Sequence, residues 1–215
     1  MTDRPVIVVA GGDAVDPADV ADLPRDVPVV AADSGIDHAL ALGFVVTHAV
    51  GDFDSVSPEG LAAVEAAGAV VERHPAAKDR TDLDLALDRA VALGADRIVV
   101  VGGHGGRIDH FLANALLLTA DRWAGVAVEA RFGPARLHVV RTEVVVSGRP
   151  GDVVTLLAVA GPARGVSTTG LRWGLADAVV EPASSLGVSN ELVGTTARVT
   201  LRSGTLLVVQ PGTSD

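Results

Sequence analysis

The feature that most constrains this chain is a change of texture near its middle. Up to residue 120, short β-branched runs alternate with helix-length segments; beyond residue 126 the runs continue and the helices stop. The runs at 5–10, 27–32, 47–50, 69–72 and 97–101 read as buried strands, each short and apolar. Between them, 36–42 reads as a helix ending at Gly43, and Ser57-Pro58-Glu59 opens a second that runs to Gly68. Thr81 caps a third, with Leu83, Leu87, Ala90 and Val91 on one face, and a fourth covers 109–120. Strands alternating with helices imply a parallel sheet covered on both faces.

The second half reads differently. Val-rich runs at 126–131, 136–140, 143–147, 152–159, 164–168, 197–202 and 205–209 are separated by Gly, Pro and Ser. That pattern predicts an antiparallel β-sandwich or barrel. The expected fold class is therefore α/β: an N-terminal parallel-sheet α/β domain over residues 1–135, then a C-terminal antiparallel β-sandwich domain over 136–215.

Composition narrows the chemistry. With 48% hydrophobic and 20% charged residues, the chain can bury a packed core. It has no Cys, which excludes disulfides, Cys-ligated zinc and thiol catalysis. A net charge of −10 argues against a nucleic-acid surface, although a divalent cation can bridge acidic residues to an anionic ligand. The opening run Pro5–Ala10, with Asp3 beside Arg4 ahead of it, is too short for a signal peptide. No stretch of about 18 apolar residues is present, so no membrane partner is expected and the default location is cytoplasmic. The composition favours Arg over Lys so strongly that Lys78 is the only lysine, which draws attention to its segment.

Three segments at strand ends carry polar chemistry. Gly51-Asp52-Phe53-Asp54-Ser55 places carboxylates at i and i+2; on extended backbone these point the same way and can share a hard cation. A polar turn explains the same pair equally well. Lys78-Asp79-Arg80-Thr81-Asp82 enters a helix, where Thr81 and Asp84 resemble a capping box and acids suit the helix dipole. Two acids and two bases in five residues exceed what a cap needs. Asp82 can complete a three-carboxylate cation site with Asp52 and Asp54, and Lys78 can hold a phosphate oxygen. Gly102-Gly103-His104-Gly105-Gly106-Arg107-Ile108-Asp109-His110 lets backbone N–H groups approach a phosphate chain ahead of a helix N-terminus. It is neither a P-loop nor a dinucleotide fingerprint. Zinc on His104 and His110 lacks a third convergent ligand. Together the segments supply the parts for phosphoryl chemistry.

These residues, in this order, resemble the thiamin pyrophosphokinase family. That family shows Ala-Asp-Gly-Gly, Gly-Asp-Phe-Asp-Ser, Lys/Gln-Asp-x-Thr-Asp and Gly-Gly-Arg-x-Asp-His, with an Asn a few residues on. Here they stand as Ala32-Asp33-Ser34-Gly35, Gly51–Ser55, Lys78–Asp82 and Gly105–His110 with Asn114. Ser34 replaces the usual Gly. Thr168–Trp173 and Gly187–Glu191 resemble the family's thiamin-binding β-domain.

The resemblance implies a cytoplasmic enzyme that transfers the diphosphate of ATP to the hydroxyl of thiamin, giving thiamin diphosphate and AMP. Residues 1–135 would be the catalytic domain and 136–215 the thiamin-binding domain. By the same resemblance Asp52, Asp54 and Asp82 hold Mg²⁺, and with Lys78 and Arg107 form the catalytic set. Asp33, Lys78, Asp79, Thr81, Gly105, Gly106, Arg107, Asp109 and His110 contact ATP. Asp54, Trp173, Ser189 and Asn190 contact thiamin, with the Trp173 face suited to a cationic ring. The family implies a homodimer whose thiamin site is shared between subunits. A core role for Trp173 remains open on the residues alone, and Trp123 reads as structural. The rival readings are a diphosphokinase or kinase for another small alcohol, and a non-catalytic nucleotide sensor. A Rossmann-type oxidoreductase is disfavoured by the missing fingerprint.

Overall fold

The computed structural model describes residues 4–212. Residues 1–3, including Asp3, and 213–215 were counted in the expected domains and lie outside the described residues. The chain divides into two compact units: Met1–Leu117 with Gly125–Gly133, and Leu118–Ala124 with Pro134–Asp215.

The first unit contains β1 (Pro5–Val9), β2 (Val29–Ala32), α1 (Gly35–Ala41), β3 (His48–Gly51), α2 (Pro58–Ala66) and β4 (Val70–Arg73). It continues with α3 (Asp82–Ala92), β5 (Arg97–Val101), α4 (Ile108–Leu117) and β6 (Ala127–Phe132). Its strands lie in the order β4-β3-β2-β1-β5-β6, and every pairing is parallel. Alternate strand residues Ile7, Val9, Val29, Ala31, Val99 and Val101 join Ile36 and Val64 of the helices in one core. On α3, Leu83, Ala86, Leu87 and Ala90 are buried at the 3–4 residue spacing of a helix face.

The helix starts follow their capping residues. Ser57 Oγ accepts from the Gly60 N–H at 3.0 Å, with Pro58 in the first turn. Thr81 Oγ1 accepts from the Asp84 N–H at 3.2 Å. The Asp84 carboxylate accepts from Arg80 Nε at 3.0 Å, so an ion pair along the helix joins the capping bond.

One expected strand departs from its texture. The run at 126–131 has the texture of the antiparallel half, although the expected boundary at 135 leaves it in the first domain; in the structure β6 pairs parallel with β5, from Arg97 opposite Ala127 to Val101 opposite Arg131. A Val-rich run does not encode the direction of its neighbour. The α4 crossover supplies the long connection that a parallel partner requires.

The second unit contains β7 (Ala135–Val140), β8 (Glu143–Ser147), β9 (Val153–Thr169), β10 (Ala178–Val180), β11 (Asn190–Glu191), β12 (Thr196–Thr200) and β13 (Ser203–Gln210). All pairings are antiparallel, in the order β7-β13-β9-β12-β8, with β10 and β11 also on β9. The runs expected at 152–159 and 164–168 form the single strand β9. Its register against β13 breaks around Ala160 (φ 59°) and Gly161; residues 155–159 pair with β13, and 167–169 pair with β12. Val154, Leu156, Val166, Val199, Leu206 and Val208 form its core. Trp123 is 1% exposed, consistent with a packing role. Among the described residues, no helix is long and apolar enough to cross a membrane.

Candidate active site

The strand order of the first unit creates a switch point. From β1 the chain builds outward through β2, β3 and β4; β5 and β6 then add on the other side of β1. The loops leaving the C-terminal ends of β1 and β5 lie side by side there, and α/β sheets bind ligands at such switch points. A cavity of about 640 Å³ occupies this edge, lined by residues following β1, β2, β3, β4 and β5.

At one end, carboxylate oxygens of Asp33, Asp52 and Asp54 lie within 4.8 Å of one another. Asp33 follows β2 at φ 47°, and Phe53 sits between the other two at φ 62°. The turn at Phe53 departs from the extended backbone expected for 52–54. Phe53 is buried, belongs to the core and carries the Arg73 guanidinium 5.1 Å from its ring centroid. Burying the aromatic holds the bend and still leaves both flanking acids in the cavity. A bulky residue in this region costs about 1–3 kcal/mol, a strain that the packed surroundings must sustain.

Gly51 makes the close approach possible. A Cβ there would come within 3.2 Å of both Asp33 Cβ and Asp82 Oδ1. Lys78 Nζ lies 3.2 Å from Asp52 Oδ2 and 2.9 Å from Asp82 Oδ1, with its side chain only 14% exposed. Asp82 was expected as the third cation ligand; in the structure its carboxylate pairs with Lys78, and Asp33 completes the cluster.

The electrostatics follow from burial and partners. Burial pushes the Asp33 carboxyl above its usual value, against the Ser34 N–H, and repulsion from Asp82, Asp52 and Asp54 adds to the push. The hydrogen bond from Lys78 holds Asp52 below the usual carboxylate value. Burial disfavours the Lys78 ammonium, but hydrogen bonds to Asp82 and Asp52 outweigh it and raise the pKa, so Lys78 remains a cation. Asp33 Oδ1 is buried without a hydrogen-bond partner. Three clustered carboxylates, one with an orphaned oxygen, form a hard-oxygen donor set suited to Mg²⁺.

At the other end, two glycine loops interlock. The Gly103 N–H donates to Gly11 O at 2.7 Å, the Asp13 N–H to His104 O at 2.8 Å, and Asn114 Nδ2 to Gly103 O at 2.9 Å. Gly105 (φ 83°) lies against the Asp13 carboxylate, 2.0 Å from where a Cβ would stand. Ser34 packs on Gly11 with an ordinary helical φ of −58°, so the departure from the family's Gly leaves that backbone unstrained.

Burial lowers the His104 pKa. Among the described residues, no metal-sized group includes a histidine. Arg107 is 70% exposed and paired with Asp109 at 2.5 Å, which holds the Asp109 carboxyl down at about 2.

Of the residues expected at this site, Asp33, Asp52, Asp54, Lys78, Thr81 and Asp82 line the cavity. Gly105, Gly106, Arg107 and His110 line it too, whereas Asp79 and Asp109 are not among its lining residues. The structure adds Gly11, Gly12 and Asp13 after β1, and Ser34 and Ser55 beside the acids. A glycine pair closing the first strand was the available signal; its meaning depended on β5 lying next to β1.

The second unit holds its own cavity of about 590 Å³, lined by Trp173–Leu175, Ser184–Val188 and Asn190. Trp173 is 54% exposed, so its ring is not core. Ser189 has φ 55° and donates its N–H to Thr155 Oγ1 at 3.0 Å, but does not line this cavity. Asn190 is buried, and its amide bonds to the Trp173 backbone.

Comparison with known proteins places this geometry in a family. The model of the thiamin pyrophosphokinase catalytic domain matches residues 25–127, and that of the thiamin pyrophosphokinase vitamin B1 binding domain matches 137–206. The thiamine pyrophosphokinase of Bacillus subtilis (strain 168) is 27% identical over 189 residues, covering 84% of this chain and 86% of that protein. The crystal structure of a Bacillus subtilis thiamine pyrophosphokinase superposes with a TM-score of 0.85 at 26% identity, over 99% of this chain and 100% of that one. The enzyme from Geobacillus thermodenitrificans gives 0.80 at 28% identity, over 98% of each chain. With both domains matched in order, the chain belongs to the thiamin pyrophosphokinase family.

Proposed function

We propose that this chain transfers the diphosphate of ATP to thiamin, with residues 1–135 as the catalytic domain and 136–215 as the thiamin-binding domain. The observation that carries the reading is one cavity at the switch point holding clustered carboxylates, a charged Lys78 and two interlocked glycine loops. The thiamin hydroxyl oxygen forms a bond to the β-phosphorus and releases its proton to water, the bond from that phosphorus to the α–β bridging oxygen breaks, and AMP leaves.

Asp33, Asp52 and Asp54 would hold Mg²⁺, with Asp82 linked to them through Lys78. The ion supplies charge neutralisation on the phosphate oxygens. Lys78, kept protonated by its two carboxylates, serves as a fixed cation for the triphosphate and not as a base. The loop N–H groups of Gly105 and Gly106 contact phosphate, and Arg107 exchanges its exposed partner Asp109 for a phosphate oxygen. Thr81 and His110 line the nucleotide cavity. Positioning of this kind, with preorganised charge, provides most of the catalysis in phosphoryl transfer.

The acceptor reading rests on Trp173, whose half-exposed ring suits the cationic ring of thiamin. A homodimer is supported by α4: Ile108, Leu112 and Leu116, one turn apart, are 69%, 52% and 57% exposed. An apolar stripe of that width favours cover by a second copy. The test is incubation with Mg-ATP and thiamin and identification of both products. AMP with thiamin diphosphate is expected; ADP with thiamin monophosphate would refute diphosphate transfer, and no conversion would favour another acceptor or a sensor.

A further inference from the structure

Trp173 lies where two short segments of the second unit run side by side. The Arg172 N–H donates to Glu191 O at 2.9 Å, and Leu171 bridges Leu192. Beyond Arg172 the chain leaves this pairing and enters an irregular stretch through Asp177. At that point the Asn190 side chain takes over. Its Oδ1 accepts from the Trp173 N–H at 3.0 Å and the Glu191 N–H at 2.9 Å, and its Nδ2 donates to Trp173 O at 2.7 Å. The carboxamide thus stands in for one peptide unit of an antiparallel ladder, and both backbone polar groups of Trp173 are bonded to it.

Few side chains can do this. The position needs an acceptor and a donor side by side on separate atoms; a carboxylate is acceptor-only, and a hydroxyl offers both functions from a single atom. Asn190 is 2% exposed, so leaving any of these groups unpaired is costly. The amide has little left for a ligand: both acceptor directions of Oδ1 are occupied and one Nδ2 hydrogen remains. Trp173 itself is 54% exposed and lines the cavity, so its backbone bonds to Asn190 are a main part of what holds it in place. Arg172, paired with Glu191 at 2.8 Å, places its guanidinium 5.0 Å from the ring centroid and does not line the cavity. Backbone and ring are therefore each tied by a residue of the 190–191 pair.

We propose that Asn190 is a positioning residue for the acceptor: it sets the Trp173 ring on the cavity wall and acts on the acceptor through that ring. This rests on the thiamin reading of the second cavity. The test is a double-mutant cycle of Asn190→Ala and Trp173→Ala, with KM measured separately for thiamin and ATP. Asn190→Ala should raise the thiamin KM about tenfold, while kcat and the ATP KM stay within about twofold. In the Trp173→Ala background, the Asn190 change should add nothing further to the thiamin KM.

An equal further rise in that background would show direct contact and overturn the positioning role. So would a fall in kcat together with a rise in the ATP KM, which marks general disruption of the site. Amide hydrogen exchange on the wild-type chain provides a readout independent of how the variant folds: the Trp173 N–H should be protected, and exchange at the rate of an open loop overturns the proposal. A wild-type chain that does not convert thiamin refutes the proposed function itself. A wild-type chain that converts it, beside an Asn190→Ala variant with unchanged thiamin KM, refutes only the positioning role.

Discussion

The two cavities are close in size, about 640 and 590 Å³, and differ in almost everything else. The first lies at the C-terminal edge of a parallel sheet, where five strand ends deliver carboxylates, a lysine and glycine loops to one place. The second lies on an antiparallel unit and is lined by Trp173, Leu175, Leu186, Val188 and small polar residues, with no ionisable side chain among them. Parallel sheets gather distant segments at one edge, which suits a site that needs many charges at once. An antiparallel unit offers neighbouring segments along one surface, which suits stacking and shape. The strain differs as well: the first unit holds Asp33 and Phe53 at positive φ beside its acids, and the second holds Ser189 at positive φ beside Asn190.

Three substitutions press on this division, from the largest effect to the smallest. Asp54→Asn removes one of the three clustered acids from an exposed position. AMP formation should fall about 10²–10³-fold, with the melting temperature nearly unchanged. A near-normal rate in product assays would mean that the first cavity does not work through its carboxylates. Trp173→Ala should raise the thiamin KM about 10- to 30-fold and leave the ATP KM alone, as steady-state kinetics with each substrate varied would show. An equal rise in both would erase the assignment of nucleotide to one unit and acceptor to the other.

The smallest effect concerns pH. Asp109 titrates at about 2 where 3.8 is ordinary, chiefly because of its hydrogen bond from Arg107. A carboxyl with a depressed folded pKa contributes stability that is present above the unfolded value and lost as pH falls through the folded one. In Arg107→Ala the Asp109 titration, followed by NMR, should move up toward 3.8. The stability gap between wild type and variant should be constant above about pH 4 and close toward pH 2, and it should be small because both side chains are exposed. An Asp109 that still titrates near 2 in the variant would break the pairing argument.

Much of this was legible in the sequence. β1 to β5 and α1 to α4 lie within a few residues of the expected runs, because apolar periodicity and capping residues such as Ser57 and Thr81 are local signals. The Gly51–Ser55, Lys78–Asp82 and Gly105–His110 segments were visible for the same reason, since each closes a strand or opens a helix. Less legible were β10 and β11, three and two residues long, which carry too little periodicity to be seen.

The sequence by itself determined the local elements, the residues that close each strand, and the family to which those residues point. Tertiary structure decided which of those residues meet. It put β5 beside β1, and so brought Gly11–Asp13 against Gly103–Gly105. It made Asp33 the third acid of the cluster and gave Asp82 to Lys78, and it turned Asn190 toward the Trp173 backbone. The physical reason is the range of the forces involved. Backbone propensity and capping act over a few residues, whereas strand order and side-chain partners are fixed by burial and hydrogen bonding between segments far apart in the chain.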